Sequence, residues 1–346
     1  MPPWSDFHFW SPPEDLERPP LPYMSVFTIT ITEHVPPRPF GLPSVYPFTE
    51  PPYDTSDEHL KTLTQTELVV NGPPLEADKD IHSVASKKPA EATLKVERPI
   101  AAVAKIFDPL YYSFENENAP HRPVATTLVA DSHYSIEAAA YTHLQETGHT
   151  GGFAPEYYGS WTFELPIRHR GIQHERYVRL LLIEYIDGVC MRDLCYRESA
   201  ALDFTEEHRL DVLARILDGD TKLEHSGIDQ CDLLPRNIML KLEPEAEDPL
   251  GKGQPRVVQR AVLIDYNISV VYHLSLEEWK YRESTELPLN PIDVFWSTSL
   301  DDFGYWVPQS WQGNRRAQQE WLIERFGGQN ALAYAPVSSE LELDNI

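Results

Sequence analysis

The chain has 346 residues, 41% of them hydrophobic, enough for one two-lobed domain or two small ones around a sizeable core. Its net charge of −25 argues against a nucleic-acid backbone or an anionic membrane surface as main partner, because both demand a positive surface. No apolar run approaches the roughly 20 residues of a membrane span, no signal-peptide pattern opens the chain, and three cysteines form no framework. A soluble, cytoplasmic chain is expected, with Cys190, Cys195 and Cys231 as small buried residues.

Fourteen of the 31 prolines lie in the first 60 residues, which excludes regular helix and central sheet there. Residues 1–63 are expected to form an extended arm on the body, with "VFTITITEH" (Val26–His34) as a strand because it alternates β-branched and aromatic residues. "TELVVNG" (Thr66–Gly72) reads as a strand ending in an Asn-Gly turn, and "ATLKVERPIAAVAKIF" as two strands around Arg98-Pro99. "SIEAAAYTHLQ" (Ser135–Gln145) reads as a helix opened by its serine. "YYGSWTFEL" and "RYVRLLLIEYI" follow as strands. A long amphipathic helix is expected from about Glu206 to His225, capped by Thr205 and ended by Gly227. The acidic "EPEAEDPLGKGQP" reads as an exposed loop. A last helix spans about Asn314 to Phe326, and "SSELELDNI" reads as a frayed tail.

Three polar stations stand out against this pattern. Lys105 sits inside the apolar strand "AAVAKIF", where an unpaired buried charge is costly. Its natural partner is Glu137, early in the following helix; the alternative is a snorkelling edge lysine and a solvent-facing glutamate. In "CDLLPRNIML", Asp232 is followed five residues later by Asn237. Asp265 ends the apolar run of "VLIDYNISVV". The plain reading of Asp232 and Asn237 is a turn before a strand.

In this order, the residues resemble the protein-kinase-like superfamily, and more narrowly small fungal kinase-like proteins with a D-L-x-P-R-N motif. The resemblance covers roughly residues 64–326. It implies an α+β, minimal two-lobed protein-kinase-like fold with a truncated C-lobe: residues 64–186 as N-lobe, 187–330 as C-lobe, 331–346 as tail. It also implies ATP and Mg²⁺ as cofactors. Lys105 would reach the α- and β-phosphates and pair with Glu137; Asp232 would be the catalytic aspartate; Asn237 and Asp265 would hold metal. Val103 and Met239 would cover the two faces of adenine, and backbone groups of Glu184 and Ile186, in a hinge of Ile183 to Ile186, would pair with its edge.

The chain departs from the family in four ways. No glycine occurs between Gly72 and Gly148, where a phosphate-covering loop belongs, so weak nucleotide binding is expected. Gln230 and Cys231 stand where protein kinases have histidine and arginine. Leu234 replaces a lysine, and Arg236 either supplies that charge or forms a structural ion pair. Only 81 residues follow Asp265, and "DVFWSTSLDDFGYWVPQSW" replaces the peptide-gripping helices; its aromatics read as core, or else line an acceptor pocket with Asp301 and Asp302. The expected function is ATP/Mg²⁺-dependent phosphoryl transfer to a hydroxyl of a small molecule or atypical protein substrate. The alternatives are a pseudokinase serving as nucleotide-binding or interaction module and a different transferase, such as an adenylyl transferase.

Overall fold

The computed structural model describes residues 10–25, 27–42, 44–47, 51, 53–72, 74–76, 100–116, 119, 122–243, 256–276 and 286–344. The chain divides into two compact units: unit 1 is Met1–Ala139 with Tyr158–Glu184, and unit 2 is Ala140–Tyr157 with Tyr185–Ile346. Helices mix with sheets whose strands pair antiparallel, so the chain is α+β.

Unit 1 is built on a four-stranded sheet in the order β1-β3-β4-β2, from β1 (Thr32–Glu33), β2 (Ala102–Phe107), β3 (Tyr157–His169) and β4 (Ile172–Glu184). A two-residue turn joins β3 to β4, and both Arg170 (φ 49°) and Gly171 (φ 78°) are left-handed, as the twist of a tight hairpin requires. Arg170 is held in that conformation by Glu17, whose Oε1 accepts its backbone N–H at 2.8 Å, and by Glu67, 2.8 Å from its Nη2.

The arm packs on this sheet. Tyr23 donates to Asp108 (2.6 Å), which also pairs with the buried Arg176 (2.8 Å), and His34 N–H donates to the Ser160 carbonyl (3.0 Å). Only Thr32 and Glu33 of Val26–His34 pair as a strand; Val26 lies outside the described residues, as does the strand expected before Arg98.

Residues 66–72 do not form the expected strand. Residues 66–71 lie in helix α2 (Gln65–Asn71), which Gly72 closes, after the short α1 (Asp57–Leu60). A capping box decides this: Thr64 Oγ1 accepts from Glu67 N–H, and the Glu67 carboxylate accepts from Thr64 N–H. Leu68 and Val69 then face the core beside Phe114 and Leu110.

Helix α3 spans Thr126–Glu146, beginning nine residues before the expected start at Ser135. The added turns are rich in Thr, Val, Asp, Ser and His, which are poor helix formers. Burial of Thr126, Thr127, Ala130 and Tyr134 overrides that preference. Ser135 is no cap; its hydroxyl donates to the Ser132 carbonyl one turn back (2.9 Å).

Unit 2 carries a three-stranded sheet in the order β5-β7-β8, made of β5 (Val189–Cys190), β7 (Ile238–Leu242) and β8 (Val258–Leu263), and a ribbon of β6 (Ile228–Asp229) with β9 (Val270–Val271). Its helices are α4 (Met191–Cys195), α5 (Glu198–Ala201), α6 (Glu206–Ser226), α7 (Pro291–Phe295) and α8 (Arg315–Phe326). Helix α6 matches the sequence reading: Thr205 accepts from His208 N–H, and Gly227 ends it in the left-handed conformation (φ 105°). Of the aromatics of residues 293–311, all but the exposed Tyr305 are core. Phe295, Trp296, Phe303, Trp306 and Trp311 are buried, and Trp306 exchanges hydrogen bonds with Arg209 (2.9 and 3.1 Å). Cys195 is buried, but Cys190 is half-buried and Cys231 exposed, so only one of the three cysteines is the expected small core residue. Most of "EPEAEDPLGKGQP" lies outside the described residues. No helix among the described residues is long and apolar enough to cross a membrane.

Candidate functional site

In unit 1, β2 pairs with β4 in a register that sets Lys105 opposite Leu181 and Val103 opposite Ile183. Phe107 of the same strand packs edge-on against Tyr134 of α3, which fixes the helix against the sheet (5.6 Å between ring centroids). Glu137, one turn farther along α3, is fully buried, and Lys105 Nζ lies 2.5 Å from its Oε2. The lysine side chain keeps 30% of its exposure. A carboxylate with no water contact must be met by charge or hydrogen bonds, and the lysine supplies that charge from the solvent side. Val103 is exposed, Ile183 and Ile186 are buried, and Glu184 is half-buried at the end of β4, opposite Ala102. Tyr185 is exposed.

In unit 2, the loop after β6 leads into a 3-10 turn, Pro235–Asn237, and then into β7. Asn237 is buried. Its Nδ2 donates to the Asp232 carbonyl (2.9 Å) and to the Asp232 carboxylate (2.7 Å). The carbonyl of Asn237 accepts from Ile264 N–H (2.8 Å), so the end of β8 and Asp265 stand beside it. Arg236 Nη2 lies 2.8 and 2.7 Å from the two oxygens of Asp232. Arg236 is therefore an ion-pair partner of Asp232.

Gln230 ties the loop together, a role the sequence reading missed. It is 2% exposed; its Oε1 accepts Asp232 N–H (2.8 Å), and its Nε2 donates to the carbonyls of Asp265 (2.8 Å) and Ile264 (3.2 Å). A neutral primary amide can serve both jobs at once because it has a donor end and an acceptor end. Its place two residues before Asp232 is the signal that a search for charged groups passes over.

Cys231 and Asp265 both adopt φ 65°, and with Arg170 they are the left-handed non-glycine residues among those described. The turn after β8 puts Asp265 in the left-handed region, which this residue type tolerates. Tyr266 is fully buried against Tyr141 (5.2 Å). Met239, half-buried, pairs with Cys190 on one side and Val262 on the other. In α6, burial and then the neighbouring Asp229 carboxylate push Asp220 up to about 7.

The loop offers hard oxygen donors. The Asn237 amide gives its Nδ2 to Asp232, so Oδ1 is the acceptor atom it has for a cation, and Asp265 brings a carboxylate. That donor chemistry fits Mg²⁺ completed by phosphate oxygens. Among the described residues, no group of three or more His, Cys, Asp or Glu side chains is placed to hold a metal ion by itself.

No family model and no curated protein matches the chain. Among solved structures, one similar chain is the crystal structure of BubR1 kinase domain, 15% identical, with a TM-score of 0.29. The match covers 42% of this chain and 39% of that one, so the chain spans about two-fifths of the structure it matches. That score is too low to define a shared fold.

Proposed function

We propose that the protein transfers a phosphoryl group from Mg²⁺-bound ATP to a hydroxyl, on a minimal two-lobed kinase-like fold with a truncated C-lobe. The observation that carries this reading is the Lys105–Glu137 pair: a fully buried carboxylate met by a lysine that stays part-exposed on a sheet. Such a pair is a poor device for stability, since apolar residues of similar volume do as well or better. It is a good device for holding an ammonium group in one place for phosphate oxygens.

In unit 1, Lys105 and Glu137 position phosphates, and Val103 and Glu184 contribute to nucleotide binding. In unit 2, Asp232 takes the proton of the acceptor hydroxyl, Asn237 and Asp265 would hold Mg²⁺, and Ile186 and Met239 contribute to nucleotide binding. When bound, the metal supplies charge neutralisation on the phosphates. The acceptor oxygen bonds to the γ-phosphorus as the bond to the β–γ bridging oxygen breaks, and ADP leaves.

A second reading, a pseudokinase that binds nucleotide or partners without turnover, is favoured by the engagement of Asp232 by both Arg236 and Asn237 and by the glycine-free stretch from 73 to 147. Nucleotide binding with and without Mg²⁺, followed by ATP turnover at high ATP over a panel of hydroxyl acceptors, separates the two. Binding that depends on Mg²⁺ and is weakened by Asp265→Ala and by Asn237→Ala supports the metal assignment. Equal affinity in both variants and the parent removes it.

A further inference from the structure

Unit 1 holds a cavity of about 100 Å³ lined from α2, α3, β2 and β4. Val69 of α2, Phe107 of β2 and Pro109 just beyond it supply an apolar wall. Glu175, Tyr177 and Arg179 alternate along β4 and line the cavity from there, and the exposed Glu175 and Tyr177 mark its open side. Asp131 of α3 lines it too and is buried. Its Oδ2 accepts Leu75 N–H (2.7 Å), and among the described residues nothing hydrogen-bonds to its Oδ1.

The cations at this wall are already matched. Arg179 pairs with Glu76 (2.5 Å) and donates to Thr162 (2.9 Å), and Arg176 pairs with Asp108 (2.8 Å). His34, 3.5 Å from Glu76, adds no charge, because burial pushes its pKa down to about 4. Asp131 and Glu175 are left with no ion-pair partner among the described residues. A carboxyl group beside an apolar wall is costly unless a hydrogen bond or a cation meets it.

We propose that this cavity is a binding site for a small primary amine, with its ammonium group on Asp131 and its hydrocarbon body against Val69, Phe107 and Pro109. A water or a hydroxyl would satisfy Oδ1 but not the charge; an ammonium group supplies both, and Glu175 at the mouth favours its entry. Size narrows the class further. The volume is roughly three waters' share of liquid and well below the ~300 Å³ of the smallest drug-sized sites, so the body is a branched chain of about four carbons. The cavity is lined by none of the residues proposed for phosphoryl transfer and stands without them. Proton and amine compete for the same carboxyl. Burial raises the Asp131 pKa to about 7 against Leu75 N–H and Arg179, and Glu76 adds to the rise. The ionised fraction is then about a tenth at pH 6 and about nine-tenths at pH 8, so amine affinity should rise about tenfold between them.

The test titrates the full, isotope-labelled chain with isobutylamine and with its neutral isostere isobutanol. The reporter is the Leu75 amide resonance, because that N–H sits on Asp131 Oδ2. The amine should saturate with a dissociation constant on the order of millimolar, the scale that so few heavy atoms allow. At pH 8 it should bind at least tenfold tighter than the alcohol, and about tenfold tighter than it does at pH 6. Asp131→Asn should remove both the preference for the amine and the pH dependence. If that variant does not fold, the alcohol comparison and the pH profile of the parent decide. Failure of the amine to saturate in the millimolar range means that water alone fills the cavity, and it overturns the proposal. Equal affinity for amine and alcohol, amine binding that ignores pH, or an amine preference that survives Asp131→Asn overturns it as well.

Discussion

In unit 1, Lys105 and Glu137 are far apart in sequence and meet because strand register and the packing of Phe107 on Tyr134 bring β2 and α3 together. In unit 2, Asp232, Arg236 and Asn237 lie within one short loop, and the loop is braced by its own backbone and by Gln230. The first arrangement makes the site residue part of the core; the second makes it a removable end on a fixed loop. Substitution should therefore cost folding in unit 1 and chemistry in unit 2, and the four variants below are ordered by the size of that cost.

Asp232→Asn is the largest effect. The Asp232 carbonyl keeps its bonds from Asn237 and from Leu234 N–H, and its N–H keeps Gln230, so the loop stays in place. An amide is isosteric but far less basic. Turnover should fall about 10²- to 10⁴-fold, the usual contribution of a positioned acid–base group, while nucleotide affinity holds. Full turnover in this variant breaks the assignment of chemistry to unit 2.

Lys105→Met addresses unit 1. It strips the charge from a carboxylate with no solvent exposure and should lower unfolding free energy by about 3 kcal/mol, read from denaturant midpoints. Combining it with Glu137→Gln should recover much of that loss, because no buried charge is then left unmatched. A Lys105→Met protein as stable as the parent removes the pair from the core and erases the contrast with unit 2.

Asp131, in the same helix, gives the contrast a pH signature. It is 5% exposed, and its Oδ2 accepts Leu75 N–H (2.7 Å). Burial raises its pKa to about 7 against the opposing effects of that N–H and of Arg179. A carboxyl with a folded pKa above its unfolded value contributes stability that is fully present at pH below about 4 and is lost as pH rises through 7. Asp131→Asn keeps an acceptor for Leu75 and cannot ionise. Its stability relative to the parent should rise between pH 5 and pH 8 by about 2 kcal/mol, measured by urea unfolding at the two pH values. A flat difference across that range removes burial of Asp131 as the cause.

The sequence makes features legible where one local signal and one long-range demand agree. Thr205 and Gly227 mark both ends of α6, and the lysine in an apolar strand demands a partner that Glu137 supplies. It misleads where the two compete. The β-branched residues at 66–70 favour strand, yet a cap three residues upstream of Glu67 commits the stretch to helix. The poor helix formers of 126–134 are helical because the core takes them. In the candidate site, the spacing of Asp232 and Asn237 is visible, but the brace through Gln230 depends on where β8 ends, which no local pattern encodes. The left-handed backbone at Asp265 belongs to the same class.

The smallest effect tests the cap that defeats the strand signal. The first turn of α2 has its N–H groups met from two sources: Glu67 N–H by Thr64 Oγ1 (3.1 Å), and Thr66 N–H by Asp15 Oδ2 (2.8 Å) from the arm. The Glu67 carboxylate accepts Thr64 N–H (3.0 Å) and also holds Arg170 in the hairpin turn. Thr64→Ala removes one of these bonds and leaves the rest, so the cost should be about 1 kcal/mol, with an unchanged denaturant slope. Because the helix lies in unit 1 and contains none of the residues proposed for phosphoryl transfer, ATP turnover and nucleotide affinity should match the parent. A loss of several kcal/mol would mean that the capping box holds the arm and the β3–β4 turn as well as its own helix, making unit 1 cooperative through Glu67. No loss at all would mean that Asp15 alone secures the helix start, and the strand preference of 66–70 is overridden by packing of Leu68 and Val69.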